Sequence, residues 1–122
     1  MIRATEPGDI EAVLANPSAI TRAEFPYGLP ASRRDGIIAE TIAIPHPVAV
    51  AAHRQRDGYC STWFIATEEG LRQVRELRRI VRRRAAVYGV IRSTTQSKHP
   101  QRDRWFRLLG MSPVSPTTYE AR

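Results

Sequence analysis

Between residues 61 and 86 the hydrophobic pattern changes from that of a strand to that of a helix, and this switch limits the fold more than any other stretch. The segment 61–67 reads S-T-W-F-I-A-T, short, apolar and rich in β-branched and aromatic residues, which predicts a buried strand. Glu68-Glu69-Gly70 follows, and then L-R-Q-V-R-E-L-R-R-I-V-R-R-R-A-A. Leu71, Val74, Leu77, Val81 and Ala85 recur three or four residues apart and predict the apolar face of one helix. Arg72, Arg75, Arg79, Arg82 and Arg83 fall on the other side. The acidic pair sits where a helix N-terminus favours negative charge, and the arginines crowd toward the opposite pole. A strand turning into a long helix leaves the first-turn N–H groups without intrahelical partners, a common anion-binding arrangement. This junction is the first candidate site.

The flanking chain is punctuated in a readable way. Residues 2–5 predict a short strand, and a helix begins near Asp9 with Ile10, Val13 and Leu14 on its apolar side. Asn16-Pro17 ends that helix, because the residue before proline avoids the helical region. Ser18 is an N-cap for a second helix over 19–25, and 26–34 reads as loop. Strands are expected over 36–44 and 48–53, with Asp57-Gly58 turning the second of them back into the 61–67 strand. The apolar run V-Y-G-V-I predicts another strand over 87–91, and 93–99 reads as polar loop. Pro100 starts a helix over 101–109 that Gly110 closes. Two Ser-Pro pairs confine any strand within 111–119 to a sheet edge. The order β-α-α-β-β-β-α-β-α-β predicts an α/β (α+β) fold, one mostly antiparallel central sheet flanked by helices.

A chain of 122 residues is long enough for one core and too short for two. No apolar run approaches the roughly 20 residues of a membrane span, and the N-terminus lacks the apolar region of a secretory signal peptide. The single cysteine, Cys60, excludes an intrachain disulfide and a cysteine-rich metal cluster, and it reads as a small strand residue. His46, His53 and His99 lack ligand-like spacing, so no metal site is expected. Trp63 and Trp105 fall within apolar patterns and read as core. The net charge of +7 is unevenly placed: residues 70–107 hold twelve Arg and Lys against two acids, whereas 1–69 hold six against nine. Such a basic half suits nucleic acid, an acidic protein surface or a phosphate-bearing cofactor, or is simply a solvated face.

Two local signatures add a resemblance. The opening I-R-A-T-E-P-G-D-I and the segment R-W-F-R-L-L-G-M at 104–111 resemble the first strand and last helix of the GNAT (Gcn5-related N-acetyltransferase) family. The order of Arg22-Ala23-Glu24-Phe25, the 63–68 strand, the arginine-rich 71–84 helix and the 105–111 segment resembles short bacteriophage GNAT-like proteins of the T7-like internal virion protein A type. The resemblance implies a single GNAT-like domain over 1–122 and an acetyl-CoA-dependent N-acetyltransferase acting on an amine of a protein or small molecule. It implies acetyl-CoA held around Thr67, Glu69, Gly70, Leu71 and Arg72, with Glu24 or Glu68 as catalytic base. A protein partner and a location in the host cytoplasm or the virion go with the phage type. The chain departs from the family at T-E-E-G-L-R-Q-V, which has one glycine where two are expected at the pyrophosphate turn. Two carboxylates beside a pyrophosphate cost about 1–2 kcal/mol in repulsion. The 101–109 helix also lacks the tyrosine that protonates a departing thiolate, with only Tyr88 and Tyr119 nearby in the chain. The alternative is therefore a catalytically inactive binding or virion-associated module whose arginine-rich helix contacts protein or, non-specifically, nucleic acid.

Overall fold

A computed structural model of the chain describes residues 1–96 and 98–122. The elements run β1 (Ile2–Ala4), α1 (Asp9–Leu14), α2 (Ala19–Glu24), a 3-10 turn (Ala31–Arg33), β2 (Ile38–Ala43), β3 (Pro47–Arg56) and β4 (Tyr59–Ala66). Then come α3 (Glu68–Leu71), α4 (Val74–Tyr88), β5 (Ile91–Thr94), α5 (Arg102–Leu108), β6 (Ser112–Ser115) and β7 (Thr118–Ala121). Seven strands form one sheet in the order β1-β2-β3-β4-β5-β7-β6, antiparallel except between β4 and β5. This is the α+β architecture expected from the element order.

The sheet has two apolar faces because its central strands are apolar throughout. Val50, Ala52, Trp63 and Ile65 turn toward α1, joining Ile10, Val13 and Leu29. Their neighbours Ala49, Ala51 and Phe64 turn the other way, against Leu77, Ile80 and Val81 of α4 and Trp105 and Phe106 of α5. At the other end, the buried Asp9 carboxylate gathers β1, α1 and β2, accepting from Arg3 at 2.6 and 3.0 Å, Thr41 Oγ1 at 2.9 Å and the Glu6 N–H at 2.8 Å. Arg3 above all, then the Glu6 amide and Thr41, hold the Asp9 carboxyl down at about 2 against the opposing effect of burial.

The parallel pair is the feature that makes a site. β4 and β5 are joined through α4, as a parallel pair requires a crossover, and they share rungs only at Cys60–Ile91 and Ser61–Arg92. Beyond Ser61 the two strands part. The vacated end of β4 is taken by the start of α2: Ser18 N–H donates to the Ala66 carbonyl at 2.8 Å, and Ala66 N–H donates to Thr21 Oγ1 at 2.9 Å. Thr21 N–H in turn donates to the Ser18 hydroxyl, the N-cap foreseen at that residue.

Some expected boundaries move. The single helix over 71–86 is two pieces, α3 and α4, and α4 runs on to Tyr88. Of the strand expected over 87–91 only Ile91 is in one; Gly89, at φ +83°, stops the helix, and β5 begins at Ile91 and takes in Ser93 and Thr94 from the expected loop. A short apolar run such as V-Y-G-V-I fits a helix end as well as a strand, and periodicity cannot separate the two. The C-terminal segment holds two strands, β6 at the sheet edge and β7 inside it. Ser97, within the loop expected over 93–99, lies outside the described residues.

Candidate functional site

Where β4 and β5 part lies a small cavity. It is lined by Ile20, Thr21, Glu24 and Phe25 of α2 and its C-terminal end, Trp63 and Phe64 of β4, Ser93 to Thr95, and Trp105 and Phe106 of α5. Its volume is about 20 Å³, room for a single water. Aromatic packing keeps it small: Phe64 meets Trp105 edge-on at 5.8 Å, Trp105 meets Phe106 at 5.4 Å, and Phe106 stacks on Tyr119 at 4.4 Å. The buried Trp105 Nε1 has no hydrogen-bond partner among the described residues. Trp105 and Ile20 also line an adjoining depression of about 230 Å³, completed by Leu71, Gln101, Arg104 and Leu108. Next in the chain, Arg72 opens a groove of about 700 Å³ along α4.

The expected site residues divide by position. Glu24 stands on the cavity wall, where its carboxylate accepts from the Thr95 hydroxyl and from Gln96 N–H at 3.1 Å. Glu68 points elsewhere: its Oε1 accepts from Ala19 N–H at 3.1 Å and so caps the start of α2. Thr67 is buried and turned inward, its hydroxyl accepting from Gly70 N–H at 3.0 Å while its own N–H donates to the Val48 carbonyl at 2.9 Å. Gly70 is pressed so tightly on β3 that a Cβ there would lie 1.9 Å from the Val48 oxygen. Glu69 is exposed and contributes its carbonyl to Arg72 N–H at 3.1 Å. The amides of Gly70, Leu71, Arg72 and Gln73 are therefore all satisfied within the chain.

The free amides lie farther along than the sequence suggested. In α4 the first intrahelical bond is Leu77 N–H to the Gln73 carbonyl at 3.0 Å, and no side chain caps the helix start. Val74, Arg75 and Glu76 thus carry the orphan donors of a 15-residue helix, flanked by the Arg72 and Arg75 guanidinium groups. The extra turn of α3 hid this, because Glu68-Glu69-Gly70 reads as the start of the same helix that actually begins six residues on.

A second polar cluster escaped the sequence reading entirely. Arg84 is only 4% exposed although it belongs to the arginine-rich helix. Its guanidinium donates to the Ala51 carbonyl at 2.9 Å and Thr62 Oγ1 at 3.2 Å and lies 3.5 Å from Glu40, leaving Nε without a partner among the described residues. Nearby His53, 7% exposed, places Nε2 3.3 Å from the Tyr88 hydroxyl. Burial first, then the Arg84 charge, push the His53 imidazole down to about 4, with Glu40 opposing. Only its place in the helical pattern, four residues past Ile80, signalled that Arg84 faces inward.

The shift of His53 has a measurable consequence. The unfolded chain takes up a proton on this ring near its usual 6.5, whereas the folded chain resists until about 4. The stability this provides is complete above pH 6.5 and is lost as pH falls through that window, by about 2–3 kcal/mol. Urea titrations from pH 7 to pH 4 should show this loss in the native chain and a nearly flat profile in His53→Gln. Equal slopes in both would place the titration on another group. Tyr119, the other tyrosine near the last helix, donates its hydroxyl to Asp103 at 2.9 Å, and neither it nor Tyr88 lines the cavity.

Among the described residues no three His, Cys, Asp or Glu side chains gather as a metal centre requires, and no helix is long and apolar enough to cross a membrane. No protein-family model and no curated protein sequence matches the chain. Solved structures do. The chain is similar to a GNAT-family acetyltransferase from Staphylococcus aureus Mu50 at a TM-score of 0.67 and 11% identity, covering 99% of this chain and 97% of that one. It is similar to the GNAT domain of PAT from S. lividans, also at 0.67 and 11%, covering 98% and 86%. A third likeness is to AAC(6')-Ib, solved in a complex that includes acetyl-CoA, at 0.66 and 12%, covering 99% and 92%. At such identities the likeness shows the fold alone, and that fold is the GNAT fold.

Proposed function

We propose that this GNAT-fold chain is an acetyl-CoA-dependent N-acetyltransferase of the short phage type, acting on an amine of a protein or small molecule. The observation that carries the reading is the parting of β4 from β5 after Ser61 and Arg92, which opens the sheet beside Glu24. The residues fit the cofactor unequally along its length. The uncapped amides of Val74 to Glu76, with Arg72 and Arg75, suit its phosphates, and the depression over Leu71, Leu108 and Trp105 suits an elongated apolar arm. At the acyl end the fit fails as packed, since about 20 Å³ admits no acetyl group until the Trp105 ring leaves Phe64.

When bound, acetyl-CoA supplies an activated acyl group. Glu24 is placed to accept the proton of an attacking amine, directly or through one water, while Thr95 and the Gln96 amide fix its carboxylate. Phe25 and Trp63 keep the surroundings apolar and limit access by water. Host cytoplasm or virion is the location that goes with this type.

A second reading is favoured by the filled cavity and by the lack of a tyrosine on its wall: a catalytically inactive, virion-associated module that works through its basic surface. Acetyl-CoA separates the two. At a hundredfold excess over Kd a ligand of the native state adds about 2.7 kcal/mol, which raises the thermal midpoint by roughly 10 °C. Glu24→Gln should keep that shift and lose transfer by about 10²–10⁴-fold. A midpoint unmoved at millimolar acetyl-CoA ends the enzyme reading and leaves the second.

A further inference from the structure

Several arginines on this surface are neutralised locally. Arg3 is paired with Asp9, Arg34 with Glu11, Arg83 with Glu40, Arg92 with Glu120 and Arg107 with Asp103. One face of α4 instead gathers, side by side, several arginines that lack such partners among the described residues. Arg75, Arg78, Arg79 and Arg82 are exposed and lie within an arc of about 100°, spread over about 10 Å of helix axis. With Arg72 and Val74 they line the groove of about 700 Å³. Arg79 has a carboxylate beside it, Glu76 at 3.2 Å; among the described residues Arg72, Arg75, Arg78 and Arg82 have none. The chain has nineteen basic residues against twelve acidic ones, and much of that excess is concentrated on this one face.

The chemistry of that face selects its partner. A guanidinium fork matches a phosphate bidentately. Four to five of them over about 10 Å face a duplex carrying one charge per ~1.7 Å of its axis. A protein partner would need an apolar or aromatic anchor in the contact, and the groove offers only Val74. A single strand would need an aromatic ring to stack its bases, and none lines the groove. We infer that this face of α4 docks on the phosphate backbone of double-stranded nucleic acid without reading its sequence. The inference does not rest on acetyl transfer: Arg78, Arg79 and Arg82 lie beyond the phosphate seat assigned to the cofactor at the start of the helix.

The test uses the full chain and two unrelated labelled DNA duplexes of about 20 base pairs. Both should bind alike, with affinity falling roughly a hundredfold between about 50 and 200 mM salt, as expected when about four phosphates are neutralised. The variant Arg78→Gln/Arg79→Gln/Arg82→Gln should bind at least about tenfold more weakly at low salt, with the log–log salt slope reduced by about 2–3. The charge-matched control Arg22→Gln/Arg56→Gln/Arg122→Gln should retain both affinity and slope, and circular dichroism checks that each variant is folded. Absence of binding at low salt overturns the inference, as does an equal loss in the control, which would make it a matter of net charge alone. Polyglutamate competing as well as duplex would assign the face to an acidic protein instead. Duplex binding without any acetyl-CoA shift would sink the transfer reading and leave this one standing; the reverse pattern would sink this one alone.

Discussion

Replacing Gly70 by alanine lowers the stability of the domain by about 4 kcal/mol and its thermal midpoint by roughly 15–20 °C. A Cβ at that position would lie 1.9 Å from the Val48 oxygen and 2.8 Å from the Val48 carbonyl carbon, and these are backbone atoms of a central strand that cannot swing aside. Relief comes only by lifting α3 off β3. Lifting it strains the Thr67 N–H bond to the Val48 carbonyl at 2.9 Å and unseats Leu71, which packs partly against the core. Overpacking alone usually costs 1–3 kcal/mol, and the lost buried hydrogen bond adds about 1–2 more. Gly8→Ala is the contrast: nothing lies within 4 Å of its Cβ, so only the positive φ of +93° opposes it, at about 1 kcal/mol. Thermal melts of the two variants decide the matter. A Gly70→Ala midpoint within a few degrees of the parent would mean that α3 is not seated on β3 as described. Because Leu71 and Arg72 follow at once, any acetyl-CoA shift should vanish with the seating.

The second large effect is at Arg84. Truncation to alanine should cost about 3–4 kcal/mol, since it leaves a cavity, removes the buried donors to the Ala51 carbonyl and Thr62 Oγ1 and takes a buried charge from beside Glu40. Arg84→Met should cost under about 1.5 kcal/mol, because methionine keeps the stem packed on the core and abolishes the unsatisfied Nε. Glu40 retains Arg83 at 2.8 Å in either case. The methionine variant should also let the His53 imidazole titrate higher, by removal of the Arg84 charge that helps hold it down. Urea midpoints give the first result and an NMR titration of His53 the second. If methionine proves as damaging as alanine, the charge itself is what the site requires.

These two residues show what the sequence reveals and what it conceals. The strand around Trp63 and the helix carrying Leu77 and Val81 were legible because an apolar period of two or of 3.6 is written into adjacent residues. The Ser18 cap and the stop at Gly110 were legible for the same local reason. Gly70 was read as a turn residue, and its real importance is steric: it depends on Val48, twenty-two residues earlier, which no local pattern announces. Arg84 was hidden by its company, since five other arginines on the same helix point to solvent or to surface acids. The candidate site was half legible. Glu24 does stand on the cavity wall, whereas Glu68 is spent on the start of α2, because the vacated edge of β4 brings α2 beside it. The free first-turn amides lie farther along than the sequence suggests, since a one-turn helix capped by Thr67 cannot be told from the helix that follows it.

β4 and β5 share only two rungs of backbone pairing, and a set of rings and the apolar face of α4 pack across the seam between them. Stiffness in this molecule is therefore directional. Within β1–β4 the ladder is continuous and resists bending, whereas across the β4–β5 seam the resistance comes from the two rungs, from α4 packed against both strands and from Phe64, Trp105 and Phe106 gripping one another. Trp105 thereby fastens the outer portion, β5 with β7, β6 and α5, to the body of the sheet.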